Sequence, residues 1–469
     1  MTGTDEFDLI IIGGGSAGLT GARFGAKLGV RVALVEKHRI GGDCTWTGCV
    51  PSKALLKAAK LAHEARRASA YGIDVGSPTT DMRRVRQYIE RAQATVYAEE
   101  TPEVLERLGI HVVHGAASFI DSNTLRVGER SLRARYIVVC TGARPAIPPV
   151  PGLADVPYVT YESIFQNEVL PAHLVVLGAG PIGLELAQAY RRLGAEVTVI
   201  GEEFLPREEP EARRVLERVL VAEGVRCLQG RASSVRREGS RIAIRTTTGE
   251  VVGDMLLVAT GRRPNVSDLE LERAGIAHSE KGIVVDEHLR THAPSVYAAG
   301  DVTGGAQFTH LAGWQCFQAV RNALIPGHAS GVAEVVPAVT FVDPEVANVG
   351  LGEAAARERF GDVEVFSWDM AHADRPVCDG ETEGFVKVVT RGGRRIVGAT
   401  IVASRAGEMI GELALAVQLG LTLADLAATI HAYPTWSMAI QQLAAAAAVD
   451  DFVGGRAGRL AMKLSRWTL

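Results

Sequence analysis

The sequence predicts an α/β fold with two doubly wound dinucleotide-binding domains. Three observations carry that expectation. An apolar strand, a glycine-rich turn, a helix and a second strand occur twice in the same order. Each copy is answered further along by an apolar run ending in Thr-Gly. The 469 residues are also too many for one hydrophobic core and suggest about three domains.

The first copy reads Leu9-Ile10-Ile11-Ile12, then Gly13-Gly14-Gly15-Ser16-Ala17-Gly18, an amphipathic stretch, and a strand over residues 31–36 ending in Glu36, with Lys37 next. Its closing run, residues 136–142, ends in Thr141-Gly142. The second copy reads Leu174-Val175-Val176-Leu177, then Gly178-Ala179-Gly180-Pro181-Ile182-Gly183, and a strand over residues 196–201. Its closing run, residues 255–261, ends in Gly261. A proline-rich linker over residues 145–152 separates the two. In each turn the glycines let the backbone approach a pyrophosphate, and the next helix offers free N–H groups and the positive end of its dipole. One such fingerprint is weak evidence; two, each after an apolar strand and before a helix, are strong.

The copies differ where a ribose would sit. Glu36 ends the second strand of the first copy, where a carboxylate can hold an adenosine ribose. The equivalent place in the second copy is Gly201, followed by Glu202-Glu203, and the only nearby cation in sequence is Arg207. That favours NADH over NADPH, with Glu202 shifted into the ribose role; a merely solvated acidic pair is the competing reading.

Two cysteines follow the first fingerprint in Gly41-Gly42-Asp43-Cys44-Thr45-Trp46-Thr47-Gly48-Cys49. Positions five apart on an ideal helix lie about 8.6 Å apart, whereas a disulfide needs Cα atoms within roughly 7 Å. The segment must therefore be distorted around Cys49, and Gly48 supplies the freedom. A disulfide does not accept hydride directly from a nicotinamide at a useful rate, so a flavin is the natural relay.

Composition excludes several classes. The net charge of −4 argues against a nucleic-acid binder. Six cysteines in a chain of this size do not make a disulfide scaffold, so the pair reads as redox chemistry in a reducing compartment. The start lacks the basic region of a signal peptide, and no run reaches the ~18 apolar residues that span a bilayer. The expectation is a cytoplasmic protein. Basic residues Arg456, Arg459, Lys463 and Arg466 recur at helical spacing near the end; a helix packed on the rest of the protein is the favoured reading over a membrane contact.

Together these residues resemble the class I flavoprotein pyridine nucleotide-disulfide oxidoreductases, in mercuric reductase-like and dihydrolipoamide dehydrogenase-like form. The resemblance covers essentially the whole chain. It implies FAD on the first fingerprint (Gly13, Gly15, Ser16, Ala17, Gly18, Glu36, Lys37, Gly42) and NADH or NADPH on the second (Gly178, Gly180, Pro181, Ile182, Gly183, Glu202, Gly261). Cys44 resembles the interchange thiol that meets the substrate, and Cys49 the thiol that contacts the flavin. Lys53 resembles the lysine near the flavin, and Glu185 its carboxylate partner. Asp301, at the end of Ser295-Val296-Tyr297-Ala298-Ala299-Gly300-Asp301, resembles the aspartate that bonds the ribityl chain. Gly115, Thr141 and Gly142 match further cofactor-contacting turns.

The implied organisation is an FAD-binding domain over residues 1–150 and an NAD(P)-binding domain over 151–275. A central segment, 276–336, completes the FAD site, and an α+β dimerisation domain spans 337–469. In relatives that last domain forms a homodimer and completes the partner's site.

The chain departs from that pattern on the acceptor side. Dihydrolipoamide dehydrogenase and glutathione reductase place a histidine and, five residues on, a glutamate where this chain has Tyr433 and Met438. Tyrosine is a poor general base at neutral pH, but it can donate a hydrogen bond or contact a thiolate-bound metal, and mercuric reductase resembles this pattern. The terminal cysteine pair and N-terminal metal-binding domain of mercuric reductase have no match here. His431 is the other candidate base, against a structural reading of the same residue. The expected activity is electron transfer from NAD(P)H through FAD to the Cys44–Cys49 pair and on to a small thiol-reactive acceptor, a disulfide or a soft ion such as Hg(II). No resident metal site is expected. The rivals are a quinone or dye reductase, a dihydrolipoamide dehydrogenase with altered acid–base residues, and a non-enzymatic flavin redox sensor.

Overall fold

The computed structural model describes residues 4–455 and 458. The basic terminal stretch from Arg459 onward, and Arg456, lie outside the described residues. Internal contacts divide the chain into two compact units, residues 1–202 with 224–333, and 203–223 with 334–469.

The first unit holds both nucleotide folds. Strand β1 (Thr4–Ile12) leads through the first glycine turn into α1 (Ser16–Lys27) and β2 (Val32–Glu36). Leu9, Ile10 and Ile11 are fully buried, as expected for a parallel strand covered on both faces. Next come α2 (Gly42–Trp46), α3 (Cys49–Arg67), α4 (Met82–Tyr97), β3 (Ile110–His114), β4 (Ala117–Asp121), β5 (Thr124–Val127) and β6 (Arg130–Val139). The sheet runs β3-β2-β1-β6-β5-β4, with β3, β2, β1 and β6 parallel. This is the doubly wound order, in which the chain reverses direction beside β1 and leaves a crevice at the strand ends.

The second fold repeats the plan with β7 (His173–Leu177), α5 (Pro181–Leu193), β8 (Glu196–Gly201), β9 (Val225–Gln229) and β10 (Met255–Val258). Its four parallel strands run β9-β8-β7-β10. Later in the chain, β11 (Val296–Ala298) pairs in parallel with β6 and joins the first sheet. Helix α6 (Thr309–Leu324) then packs on α1. The α/β class with two doubly wound folds is therefore present.

The second unit carries a five-stranded antiparallel sheet in the order Ala338–Thr340, Glu345–Gly350, Arg395–Ala403, Phe385–Arg391, Glu364–Asp369. The helices Ala406–Leu419 and Met438–Gly454 cover it through a core that includes Ile401, Leu413, Trp436 and Ile440. Residues 203–223, which the sequence places in the 151–275 domain, group with this unit. The lone set of carboxylates close enough to share a cation among the described residues, Glu209, Glu211 and Glu353, lies here. The buried Lys387 ammonium sits among them at 2.8, 3.2 and 2.9 Å.

Candidate functional site

The two cysteines lie on separate helices. Helix α2 ends at Trp46, the backbone turns through Thr47 and Gly48, and α3 begins at Cys49. A Cβ at Gly48 would stand 2.9 Å from the Asp43 carbonyl oxygen, so the break needs glycine there. Both residues are free thiols, Cys44 half-buried and Cys49 exposed. A hydrogen bond from Cys44 stabilises the Cys49 thiolate and lowers its pKa to about 6, although lost hydration opposes this. The same bond and burial drive the Cys44 thiol well above its ordinary range. One cysteine thus holds the negative charge and the other holds the proton.

Two further groups favour the Cys49 thiolate. The Thr309 hydroxyl, at the amino end of α6, lies 3.4 Å from Cys49 Sγ. Nothing in the sequence singled out Thr309, since it lies 260 positions from Cys49. Lys53 also lowers the Cys49 pKa, and Glu185 raises it. Lys53 Nζ on α3 meets Glu185 Oε2 on α5 at 3.0 Å, which joins the two nucleotide folds beside the thiols. Thr309→Val removes the hydroxyl while keeping side-chain shape. The thiolate absorbance of the reduced protein should then titrate about one unit higher than in the wild type.

Helix α2 is held from two sides. The Trp46 indole N–H donates to the Ile40 carbonyl at 2.7 Å, and its ring lies under Arg39 and beside Tyr97. Packing therefore accounts for Trp46. On the other side Arg262 bonds Asp43 at 2.6 Å and Asp301 at 2.7 Å, and its Nε donates to the Tyr161 hydroxyl at 3.2 Å. Burial raises the Asp301 pKa against the pull of Arg262. Arg262 is a second residue the sequence did not point to, although it directly follows Gly261.

The first glycine turn is close-packed. Gly13 has φ +108°, and a Cβ on it would strike the Cys140 carbonyl; one on Gly18 would strike the Gly13 carbonyl. A Cβ on Gly42 (φ +56°) would come 2.7 Å from the Gly15 Cα. The Glu36 carboxylate accepts N–H bonds from Gly14 and His38, each 2.7 Å long. Ser16 bonds Cys44, Ala17 is buried, and Lys37 is exposed. Gly115 (φ +148°) bonds back to the Glu36 carbonyl at 2.9 Å. Thr141 and Gly142 are tied by hydrogen bonds to Asn265.

The second turn repeats these approaches: Cβ atoms at Gly178 and Gly183 would strike the Ala259 and Gly178 carbonyls. Pro181 opens α5, followed by Ile182, and nothing lies within 4 Å of where a Gly180 Cβ would stand. Room for an anion therefore faces the free N–H groups of α5, an arrangement that fits a pyrophosphate.

Glu202 is paired with Arg231 at 2.7 Å, a cation that follows a different strand. His431, in the second unit, has both ring nitrogens engaged, Nδ1 with the Thr429 carbonyl at 3.0 Å and Nε2 with Glu412 at 2.8 Å. With neither nitrogen free, His431 fits the structural reading. Tyr433, also in the second unit, is exposed and donates its hydroxyl proton to Asp374 at 2.7 Å. That bond raises its pKa.

Residues 7–316 match the pyridine nucleotide-disulphide oxidoreductase family model, and residues 336–444 match that family's dimerisation domain. The chain belongs to the pyridine nucleotide-disulphide oxidoreductase family. Members are FAD-dependent NAD(P)H oxidoreductases with a redox-active disulfide, and so is this chain. A mercuric reductase from Acidithiobacillus ferrooxidans is 37% identical over 92% of this oxidoreductase and 80% of the relative. One from Streptomyces lividans is 35% identical over 93% and 95%. Among solved structures, the HOCl-induced flavoprotein disulfide reductase RclA of Escherichia coli, also solved as a Cu(II) complex, matches with TM-score 0.85. It is 30% identical over 93% of this chain and 99% of its own. LpdA of Mycobacterium tuberculosis matches with TM-score 0.86 and 30% identity over 94% and 99%. No helix among the described residues of this oxidoreductase is long and apolar enough to cross a membrane.

Proposed function

We propose that this oxidoreductase passes electrons from NAD(P)H through FAD to the Cys44–Cys49 pair and reduces a thiophilic metal ion at Cys44, with Hg(II) the leading substrate. The observation that carries this reading is the state of the acceptor-side proton donors. His431 has no free nitrogen, and the Tyr433 hydroxyl proton is committed to Asp374. Disulfide reduction, NAD(P)H + H⁺ + RSSR → NAD(P)⁺ + 2 RSH, consumes a proton and needs a donor for the leaving thiolate. Metal reduction, NAD(P)H + Hg(II) → NAD(P)⁺ + H⁺ + Hg(0), consumes none.

Bound FAD supplies two-electron chemistry between nicotinamide and thiols. The fingerprint glycines, Glu36, Gly115, Thr141, Gly142 and Asp301 are proposed to hold it, with Lys53–Glu185 beside its ring. Cys49 faces the flavin as a thiolate, Cys44 presents the sulfur that meets the acceptor, and Tyr433 contributes an oxygen on the acceptor side. The four functional segments are proposed to keep their roles, with residues 203–223 of the NAD(P)-binding segment grouping with the last one, and a homodimer to form through residues 337–469. The mercuric reductase relatives and the Cu(II) complex of RclA support soft-metal chemistry, so Cu(II) is the second ion to test.

Anaerobic turnover with NADH and NADPH tests the reading, using thiol-buffered Hg(II), Cu(II), lipoamide and glutathione disulfide. The expected result is at least about 1 s⁻¹ with one of the ions and rates at least roughly tenfold lower with both disulfides. Faster lipoamide or glutathione disulfide reduction would overturn it.

A further inference from the structure

The first nucleotide fold holds a second pair of thiols in contact, distinct from Cys44 and Cys49. Cys140 directly follows β6, and Cys316 lies on α6, 176 positions further along. Their sulfurs stand 3.5 Å apart, and both residues are buried free thiols. The bond to Cys316 and burial push the Cys140 thiol well above its ordinary range. Cysteine is small and apolar enough to serve as core packing, and either residue alone would need no other reading. Two of them in sulfur–sulfur contact, brought together from distant parts of the chain, form a dithiol.

The pair joins two elements of the FAD-binding fold. The Cys140 N–H donates to the Ile12 carbonyl at 2.7 Å, and its own carbonyl is the group that a Cβ on Gly13 would strike, so Cys140 floors the first glycine turn. Helix α6 carries Thr309 beside Cys49, and its Gln315 side chain accepts from the Gly300 N–H at 3.0 Å, next to Asp301. Cys316 is also pressed against α1, where a Cβ on Gly21 would strike its sulfur. An ion held in line between two thiolates, about 2.3 Å from each, would spread the sulfurs to about 4.6 Å, and α1 leaves Cys316 little room to withdraw. A disulfide instead draws them together, from 3.5 Å to about 2.05 Å. The packing favours the bond over an ion.

We propose that Cys140 and Cys316 form a second redox dithiol, which sustained exposure to a peroxide closes into a disulfide that clasps the FAD-binding fold. One sulfur is oxidised first, R–SH + H₂O₂ → R–SOH + H₂O, and its neighbour then displaces water, R–SOH + HS–R → R–S–S–R + H₂O. The two sulfurs together lose two electrons, which reduce the peroxide to water. The neighbour at 3.5 Å diverts the oxidised sulfur from the further, irreversible steps. Burial makes the first step slow, because the thiolate is the nucleophile and the protonated form is favoured here. The pair therefore responds to prolonged exposure, after the Cys49 thiolate has reacted. The closed bond ties the floor of the glycine turn to α6, so both elements must open together before FAD leaves. No step passes through Cys44 or Cys49, and the inference is independent of which acceptor is reduced.

The test incubates the holoenzyme with millimolar hydrogen peroxide, quenches it in acid so that thiols cannot exchange, and maps the peptic peptides by mass spectrometry. The expected product is a peptide pair linked through Cys140 and Cys316, formed at least about tenfold more slowly than Cys49 is consumed and lost on treatment with dithiothreitol. The temperature at which FAD fluorescence is released should rise by about 5 °C in the treated wild type. Cys316→Ala and Cys140→Ala are each expected to keep ferricyanide reduction within about twofold of wild type, and peroxide should leave their release temperature unchanged. Either variant suffices if the other does not fold. Absence of the Cys140–Cys316 linkage after prolonged treatment, with Cys49 fully oxidised, overturns the proposal. So does a linked wild type whose release temperature does not rise, or an alanine variant that gains the same rise.

Discussion

Cys44→Ser is expected to lower turnover with Hg(II) or Cu(II) at least about 10³-fold, because it removes the sulfur proposed to receive the acceptor. NADH-dependent reduction of ferricyanide, which draws electrons from the flavin directly, should stay within about twofold of wild type. The contrast rests on where the two sulfurs stand. Cys49 has the lowered pKa, the bonds to Cys44 and Thr309 and the favourable charge of Lys53 nearby, so it is the sulfur built to hold charge. Serine at position 44 can still donate to Cys49, which keeps the Cys49 thiolate but removes a soft ligand. Parallel measurement of both acceptors in wild type and variant separates the readings. A variant that keeps more than about a third of its metal turnover would point to a quinone or dye reductase, with electrons leaving from the flavin.

Lys53→Met should produce the second-largest effect, with two separate signatures. With a pKa of about 6, Cys49 is roughly nine-tenths thiolate at pH 7. Losing Lys53 removes a cation that lowers this pKa and leaves Glu185, which raises it. A rise of up to about one unit would leave about half as thiolate at pH 7. The sign is fixed: the pH at which the thiolate forms moves up, and turnover at pH 7 falls about twofold and recovers as pH rises. Stability changes as well, because the Glu185 side chain is only 8% exposed and loses its bond to Lys53. Lys53 is itself 38% exposed, so water screens the pair and the cost is about 1–2 kcal/mol rather than that of a fully buried bridge. The variant Lys53→Met/Glu185→Gln should recover most of the melting temperature while the thiolate pKa stays above its wild-type value. A single variant whose thiolate titrates at the wild-type pH would remove Lys53 from this role.

The nucleotide sites were legible because their chemistry is carried by backbone. A cradle of N–H groups needs glycine at Gly13, Gly18, Gly178 and Gly183, where a Cβ would strike a carbonyl, and that need is written in consecutive residues. The break before Cys49 was legible for a similar reason, since an unbroken helix would hold the two cysteines too far apart. Glu202 was legible as a carboxylate near a strand end. Its cation was not, because Arg231 follows a different strand and becomes a neighbour only through the β8–β9 register. For His431 the sequence favoured a structural hydrogen-bonding role over a base, and the folded chain supplies the partner, Glu412.

The sequence by itself determined the α/β class, the two dinucleotide folds and the cysteine pair, which follow from local spacing of glycine, cysteine and apolar residues, while the family follows from resemblance to known members. The tertiary structure decided the electrostatics at those places. Thr309 reaches the thiol site from 260 positions away from Cys49, and Arg262 reaches Asp43 across 219. Backbone geometry is set by neighbours in sequence, whereas the charge state of a side chain is set by whatever the strand order and helix packing place within a few ångströms of it.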